Sequence, residues 1–166
     1  MSQENTCSGT IARTDRGFVG RLQRLYEHPV QRVWAMLTVP AEFAKWIAPG
    51  KIDLQKGGRV YIDFADSGTV IDSTLTEFEP PRLLEYSWSS GDEPARPLRW
   101  ELEPQGSGTR LTLTVHTPAG EDAAKACAGF EGHLDMLAGA LEDVPIRFPF
   151  DHFVAARKVY AQMLGQ

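Results

Sequence analysis

The fold is decided by residues 98–115, which read LRWELEPQGSGTRLTLTV. Apolar side chains occupy every second position on both sides of the turn at 105–108, namely Leu98, Trp100, Leu102, Leu111, Leu113 and Val115. Strict alternation is typical of half-buried strands, and a short turn between two such runs makes them an antiparallel hairpin. One face of this hairpin is therefore predicted to be buried, and the other, with its Arg, Glu and Thr side chains, to face water.

Further extended runs precede this hairpin and extend the sheet. They lie at residues 52–54, 60–64, 69–78 and 84–88, with turns at Gly57-Gly58 and Pro80-Pro81, and residues 18–27 form a first strand. Together the runs predict an antiparallel sheet of six to seven strands. Sheets of this size twist and curl, so this one is expected to present a concave face.

Four segments carry helical signals. Two short helices follow the first strand, one beginning after Pro29 and one running from Pro40 to just before Pro49. Residues 121–143 carry apolar side chains at steps of three and four, which predicts a long amphipathic helix. A last helix is predicted over residues 151–164. Its apolar stripe must be covered either by its own chain or by a neighbour's, so a homodimer is an open alternative; the stripe includes Phe153, Tyr160 and Met163.

Composition narrows the class of protein. A net charge of −5 without a basic cluster disfavours nucleic acid as a partner. No apolar run approaches the roughly eighteen residues of a membrane span, so none is expected and the simplest location is the cytoplasm. Residues 1–16 are polar and are predicted to be a disordered lead-in to a single domain over 17–166. Cys7 and Cys127 have neither disulfide nor metal-site spacing, and no cofactor is expected.

An ordered set of short motifs resembles a known family. The motifs are residues 29–34, residues 40–49 with Trp46, Gly57-Gly58-Arg59, residues 79–83, residues 108–114 and His133-Leu134. In this order they resemble the START-like (SRPBCC, helix-grip) superfamily, in the bacterial branch named for the activator of the heat-shock protein 90 ATPase. The resemblance implies an α+β helix-grip fold, in which a curved antiparallel sheet wraps a long C-terminal helix. This chain has Phe130 where the family often carries tryptophan.

A cavity between sheet and helix is the expected site, because one helix fills a concave sheet only in part. The residues predicted to line it are Phe64, Tyr86, Trp88, Trp100, Leu113, Phe130, His133, Met136 and Leu137. His133 lies on the flank of the apolar stripe, where it could hydrogen-bond a ligand or exchange a proton. His116 and Asp63 share the parity of outward positions and are expected to face water. No catalytic residue is assigned.

Three functions fit this pattern. The leading hypothesis is the binding of a small hydrophobic ligand in the cavity. A protein-interaction module with a co-chaperone-like role is the second, and it predicts an apolar patch on the outer face of the sheet. The third is a cofactor-free enzyme of the cyclase or dehydratase type, with His133 as acid or base.

Overall fold

The sheet of this protein has eight strands and is antiparallel throughout. The computed structural model describes residues 7–65 and 67–166. The strands are β1 (Gly9–Thr14), β2 (Gly17–Tyr26), β3 (Gly50–Ile52), β4 (Arg59–Phe64), β5 (Thr69–Glu79), β6 (Leu83–Ser87), β7 (Pro97–Gln105) and β8 (Gly108–Pro118). Their order across the sheet is β1-β2-β8-β7-β6-β5-β4-β3. The predicted helix-grip α+β class is confirmed, with one to two strands more than expected.

Four helices complete the fold. Two short ones, α1 (Val30–Thr38) and α2 (Pro40–Phe43), follow β2, and the long α3 (Ala123–Leu141) and the terminal α4 (Phe150–Met163) follow the sheet. α3 packs on β2 and β8 at the concave face, and α4 packs on α3 and β1. No helix within the described parts of the chain is both long and apolar enough to cross a membrane.

The core lies between the sheet and α3 and is built from the alternating positions of the strands. Leu98, Trp100, Leu102, Leu111 and Leu113 are all at most 3% exposed. The period-two pattern of residues 98–115 therefore identified the buried face correctly. Two predicted boundaries moved: β3 ends at Ile52 rather than spanning 52–54, and α2 is only four residues long.

The prediction of a disordered lead-in over residues 1–16 is wrong for residues 9–14, which form β1. β1 pairs with the edge of β2 in antiparallel register, from Gly9 opposite Leu22 to Thr14 opposite Gly17. An edge strand with one wet face needs few apolar residues, and here Ile11 alone is buried. Composition therefore gave no sign of it. Residues 1–6 lie outside the described residues.

A buried carboxylate fastens β1 to the helices. Glu131 of α3 is fully buried, and its oxygens accept hydrogen bonds from the backbone N–H and the hydroxyl of Ser8, each at 2.7 Å. The guanidinium of Arg24 donates to it from β2 at 2.7 Å, and the hydroxyl of Tyr160 donates from α4 at 2.5 Å. Four donors on three separate segments thus compensate the desolvation of one charge.

The apolar stripe of α4 is covered largely by its own chain. Ala156 and Tyr160 are fully buried and Phe153 is partly buried, whereas Met163 is 43% exposed. The stripe that suggested a homodimer is thus mostly covered within the chain, and the homodimer stays a prediction.

Candidate ligand-binding cavity

A cavity of about 530 Å³ lies between the sheet and the N-terminal half of α3. This volume falls within the roughly 300–1,000 Å³ typical of small-molecule sites. Its apolar lining comes from strands, from α3 and from α4: Phe64, Trp88, Leu98, Val115, Ala126, Gly129, Phe130 and Phe153. Its polar lining is Ser67, Thr69, Arg96, His116, Thr117, Glu121, Asp122, Lys125 and His133.

Three aromatic rings form the apolar wall. The ring centroids of Phe64 and Trp88 are 5.9 Å apart, and those of Trp88 and Phe130 are 5.3 Å apart, both edge to face. Edge-to-face contacts at this distance stabilise the arrangement beyond the area that it buries. The wall is therefore held in place by contacts between its own members, before any ligand enters.

His133 is the polar group set into this wall. Its ring centroid is 6.3 Å from those of Phe64 and Phe130, and the ring of Phe148, from the segment before α4, covers it at 5.5 Å. Phe148 can come this close because Gly132 has no side chain; a Cβ there would lie 2.5 Å from the Phe148 ring. His133 is thus enclosed by apolar groups on several sides.

The protonation state of His133 follows from its contacts. Nδ1 lies 3.1 Å from the backbone oxygen of Trp46, which can only accept, so Nδ1 carries the proton of the neutral ring. Burial lowers the pKa of His133 below its ordinary value, and the bond to Trp46, which raises it, offsets this only in part. At neutral pH the ring is uncharged, with Nε2 as an acceptor.

The second ring nitrogen of His133, Nε2, has no partner in the described parts of the chain. Within residues 7–65 and 67–166 no group forms a hydrogen bond with it, and it is not among the polar atoms sealed from solvent without a partner. The atom therefore keeps access to open space, and His133 is one of the residues that line the cavity. It offers an unused hydrogen-bond acceptor at an otherwise apolar wall.

The charged groups at the mouth are paired with one another. Arg96 makes two hydrogen bonds to the carboxylate of Glu121, at 2.7 and 2.9 Å, so the pKa of Glu121 is held below its ordinary value. Asp122 caps α3 by accepting from the backbone N–H of Lys125 at 2.9 Å and also binds Arg157. The cap and the neighbouring cations likewise lower the pKa of Asp122. The mouth is therefore polar but nearly balanced in charge.

Four of the nine residues predicted for the pocket line this cavity: Phe64, Trp88, Phe130 and His133. The other five do not. Tyr86, Trp100, Leu113 and Leu137 are at most 3% exposed within the packed core, and Met136 is partly buried outside the cavity. Alternation identified the inward face of β4, β6, β7 and β8 correctly, but it does not tell which inward side chains touch α3 and which are left facing open space.

The indole nitrogens of two buried tryptophans, Trp46 and Trp100, differ in their hydrogen-bond partners. Nε1 of Trp46 donates to the backbone oxygen of Met36 at 2.8 Å, whereas Nε1 of Trp100 is sealed without a hydrogen bond in the described part of the structure. Burial raises the pKa of the Tyr86 hydroxyl. Tyr86 and Trp100 lie behind the cavity wall and are part of the core.

Several lining residues could not be found from the sequence. Phe153 reaches the cavity from α4, because α4 folds back along α3, and the Arg96–Glu121 pair joins residues 25 positions apart. His116 borders the mouth and is exposed, in keeping with its outward parity on β8, while the next residue, Thr117, is buried. These contacts depend on long-range packing, and no local sequence pattern indicates them.

The described residues contain no group of three or more His, Cys, Asp or Glu side chains placed to hold a metal ion. Cys7 and Cys127 are free thiols, and burial raises the pKa of each to about 12. Neither is activated as a nucleophile, because the reactive thiolate is disfavoured.

Comparison with known proteins gives one matching family and several similar solved structures. The family model described as "Activator of Hsp90 ATPase homolog 1-like protein" matches residues 27–142, more than half of the chain. The crystal structure of CalU16 from Micromonospora echinospora superposes with a TM-score of 0.81 at 22% identity, over 96% of this chain and 99% of that one. The solution structure of the BPP1335 protein from Bordetella parapertussis is 30% identical, with a TM-score of 0.70 over 96% and 92% of the two chains.

A third similar structure is DynU16, described as a protein of the dynemicin biosynthetic locus. It is 29% identical, with a TM-score of 0.67 over 75% of this chain and 48% of that chain. None of the functionally curated proteins matches this chain.

Proposed function

Because this chain belongs to the family of Activator of Hsp90 ATPase homolog 1-like proteins, we propose that it binds a small hydrophobic molecule between the sheet and α3. The observation that carries this proposal is the cavity of about 530 Å³, walled by Phe64, Trp88 and Phe130, with His133 beside these rings. Apolar walls with a few placed polar groups are the usual composition of small-molecule sites. The location of the protein in the cytoplasm stays a prediction.

The similarity to DynU16, a protein of a biosynthetic locus, supports a role close to small-molecule metabolism. The test is native mass spectrometry of the protein as purified from its host, followed by extraction and identification of whatever is retained. A retained apolar molecule near one equivalent is the expected result. A protein that is empty as purified, and that stays empty after incubation with a broad panel of apolar metabolites, would contradict the proposal.

A cofactor-free enzyme of the cyclase or dehydratase type is the second candidate, and one observation favours it. Nε2 of His133 is an unprotonated nitrogen with access to the cavity, as a general base requires. If His133 abstracts a proton from a bound substrate, the rate should fall as Nε2 is protonated at acid pH, and His133→Phe should abolish turnover without abolishing binding. Retained turnover in that variant would exclude this role.

The protein-interaction hypothesis finds less support on the surface that it predicts. The outer face of β6 and β7 carries charged side chains, with Arg99 lying 3.6 Å from Glu85 and 3.3 Å from Glu101. An apolar docking patch is therefore not formed by these residues. Exposed apolar side chains occur singly at Leu25 of β2, Val39 and Leu54, and as a group before and within α4, at Val144, Ile146, Phe150, Val154 and Met163.

A further inference from the structure

We propose that the ligand is a neutral, flat aromatic molecule that carries a hydroxyl group and donates its O–H to Nε2 of His133. This inference rests on the proposed binding function and specifies the chemical class of the ligand. It names the hydrogen-bond partner, the charge and the shape, and each of these follows from a separate feature of the cavity.

The hydrogen-bond role of the ligand follows from the fixed tautomer. The carbonyl oxygen of Trp46 accepts a hydrogen bond from Nδ1–H, with 3.1 Å between oxygen and nitrogen, which leaves Nε2 of the neutral ring able only to accept. A ligand that presents a carbonyl or ether oxygen to Nε2 would place two acceptors against each other. A donor is required there, and leaving the acceptor unpaired when a ligand displaces water would cost affinity.

The neutral charge of the ligand follows from the mouth and the wall. Arg96 is already neutralised by Glu121, and Asp122 is held by Arg157 and by the start of α3. Lys125, the remaining charged group of the lining, is exposed and lies in the field of Asp122. Around His133 itself the neighbours are aromatic rings, where an ionised ligand would lose its hydration without gaining a counter-charge.

The flat shape follows from the arrangement of the rings. Phe64 and Phe130 both stand edge to face against Trp88, and all three residues line the cavity. Aromatic pairs prefer offset or edge-to-face contacts with centroids about 4.5–7 Å apart, and such contacts add roughly 0.5–1.5 kcal/mol beyond burial. A flat aromatic ligand gains these contacts, whereas a flexible chain of equal area does not.

The experiment compares β-naphthol with its methyl ether and with β-naphthoate by isothermal titration at neutral pH. The three probes share one flat ring system and differ in the donor and in the charge. We expect β-naphthol to bind about three- to tenfold more tightly than its methyl ether, which is the net effect of one hydrogen bond, and β-naphthoate to bind most weakly. Equal affinity for β-naphthol and its ether, or tighter binding of β-naphthoate, would overturn the inference while leaving the proposed binding function intact.

Two variants locate the contact. His133→Phe keeps a ring in the wall but removes the acceptor, so it should bring β-naphthol down to the affinity of the ether and leave the ether unchanged. The control is His28→Phe, because the imidazole of His28 contacts Glu142 beyond the opposite end of α3; it should keep the preference. A preference that survives in a folded His133→Phe protein would overturn the assignment to His133.

If His133→Phe does not fold, the wild-type comparison of β-naphthol with its ether decides the question by itself. Failure of all three probes to bind would overturn the inference. The proposed binding function would fall with it only if native mass spectrometry also found no retained molecule of any class.

Discussion

Two ionisable residues of α3 have opposite surroundings, one polar and one apolar. Four donors surround the carboxylate of Glu131. His133, two positions further on, stays neutral, because it is enclosed by rings and meets one carbonyl oxygen. Residues two positions apart point to nearly opposite sides of an α-helix. One turn of α3 therefore carries both the residue that anchors β1 and a residue of the candidate site.

Removing the charge of Glu131 should be costly. In Glu131→Gln the amide N–H group would face donors rather than accept from them, and Arg24 would lose one of its two carboxylate partners. We expect the free energy of unfolding, measured by urea denaturation, to fall by about 3 kcal/mol, since buried donors would be left without an acceptor.

The matched control is Glu142→Gln, at the exposed end of the same helix, which should change stability by no more than about 0.5 kcal/mol. Tyr160→Phe removes one of the four donors and should lie between the two, with a loss of roughly 1.5–3 kcal/mol for a hydrogen bond to a charged group. Equal stability of the two glutamine variants would show that the carboxylate of Glu131 does not anchor β1 to the helices.

The lowered pKa of His133 predicts how the folding stability changes at acid pH. A histidine whose pKa is lower in the folded than in the unfolded protein adds nothing to the pH dependence above its unfolded value of about 6.5. As pH falls below that value, the unfolded chain binds the proton first and stability is lost, until the folded form is protonated as well. Each unit of difference between the two pKa values corresponds to about 1.4 kcal/mol.

We therefore expect wild type to lose more stability than His133→Phe when both are unfolded by urea at about pH 7.5 and again at about pH 5. Carboxylates elsewhere contribute equally to both proteins and cancel in this difference. Identical losses in wild type and variant would mean that His133 is not held neutral.

Among the elements, the strands whose apolar residues alternate with a period of two were predictable, and the edge strand β1 was not. β7 and β8 follow from alternation alone, because each buries the apolar side chains of one face in the core and leaves the other face more exposed. β1 pairs only through its backbone along most of its length, so its side chains carry little pattern, and Ile11 is its one buried residue. A strand that depends on its neighbour's free edge cannot be identified from its own composition.

The contribution of β1 can be measured through Ile11. Ile11→Ala should reduce the free energy of unfolding by about 2 kcal/mol, the lower part of the range for truncating a buried isoleucine. The control is Thr10→Ala, on the exposed face of the same strand, for which a change below about 0.5 kcal/mol is expected. If both substitutions were neutral in urea denaturation, β1 would not be folded onto β2 in solution.

For the molecule as a whole, the existence of a cavity was predictable and its lining only in part. An eight-stranded sheet around one long helix leaves space that the helix does not fill, as the order of elements implied. Which side chains face that space depends on how far α3 reaches along the sheet and on where α4 returns. Trp100 and Leu137 fell into the packed part, whereas Phe153 came to the cavity from the far end of the chain.

One glycine of α3 offers a direct test of whether the cavity binds the ligand. Gly129 of α3 lines the cavity, and a Cβ built on it would meet no heavy atom within 4 Å. Gly129→Ala should therefore keep the cavity and stabilise α3 by about 1 kcal/mol, since alanine is the better helix former. Gly129→Trp should direct an indole into the open space and fill it without displacing the backbone.

The decisive measurement is native mass spectrometry of wild type, Gly129→Ala and Gly129→Trp, purified in the same way from the same host. We expect a retained apolar molecule, near one equivalent, on wild type and on the alanine variant, and none on a folded tryptophan variant. Equal retention by all three proteins would place the bound molecule elsewhere and contradict the assignment of this cavity as the binding site.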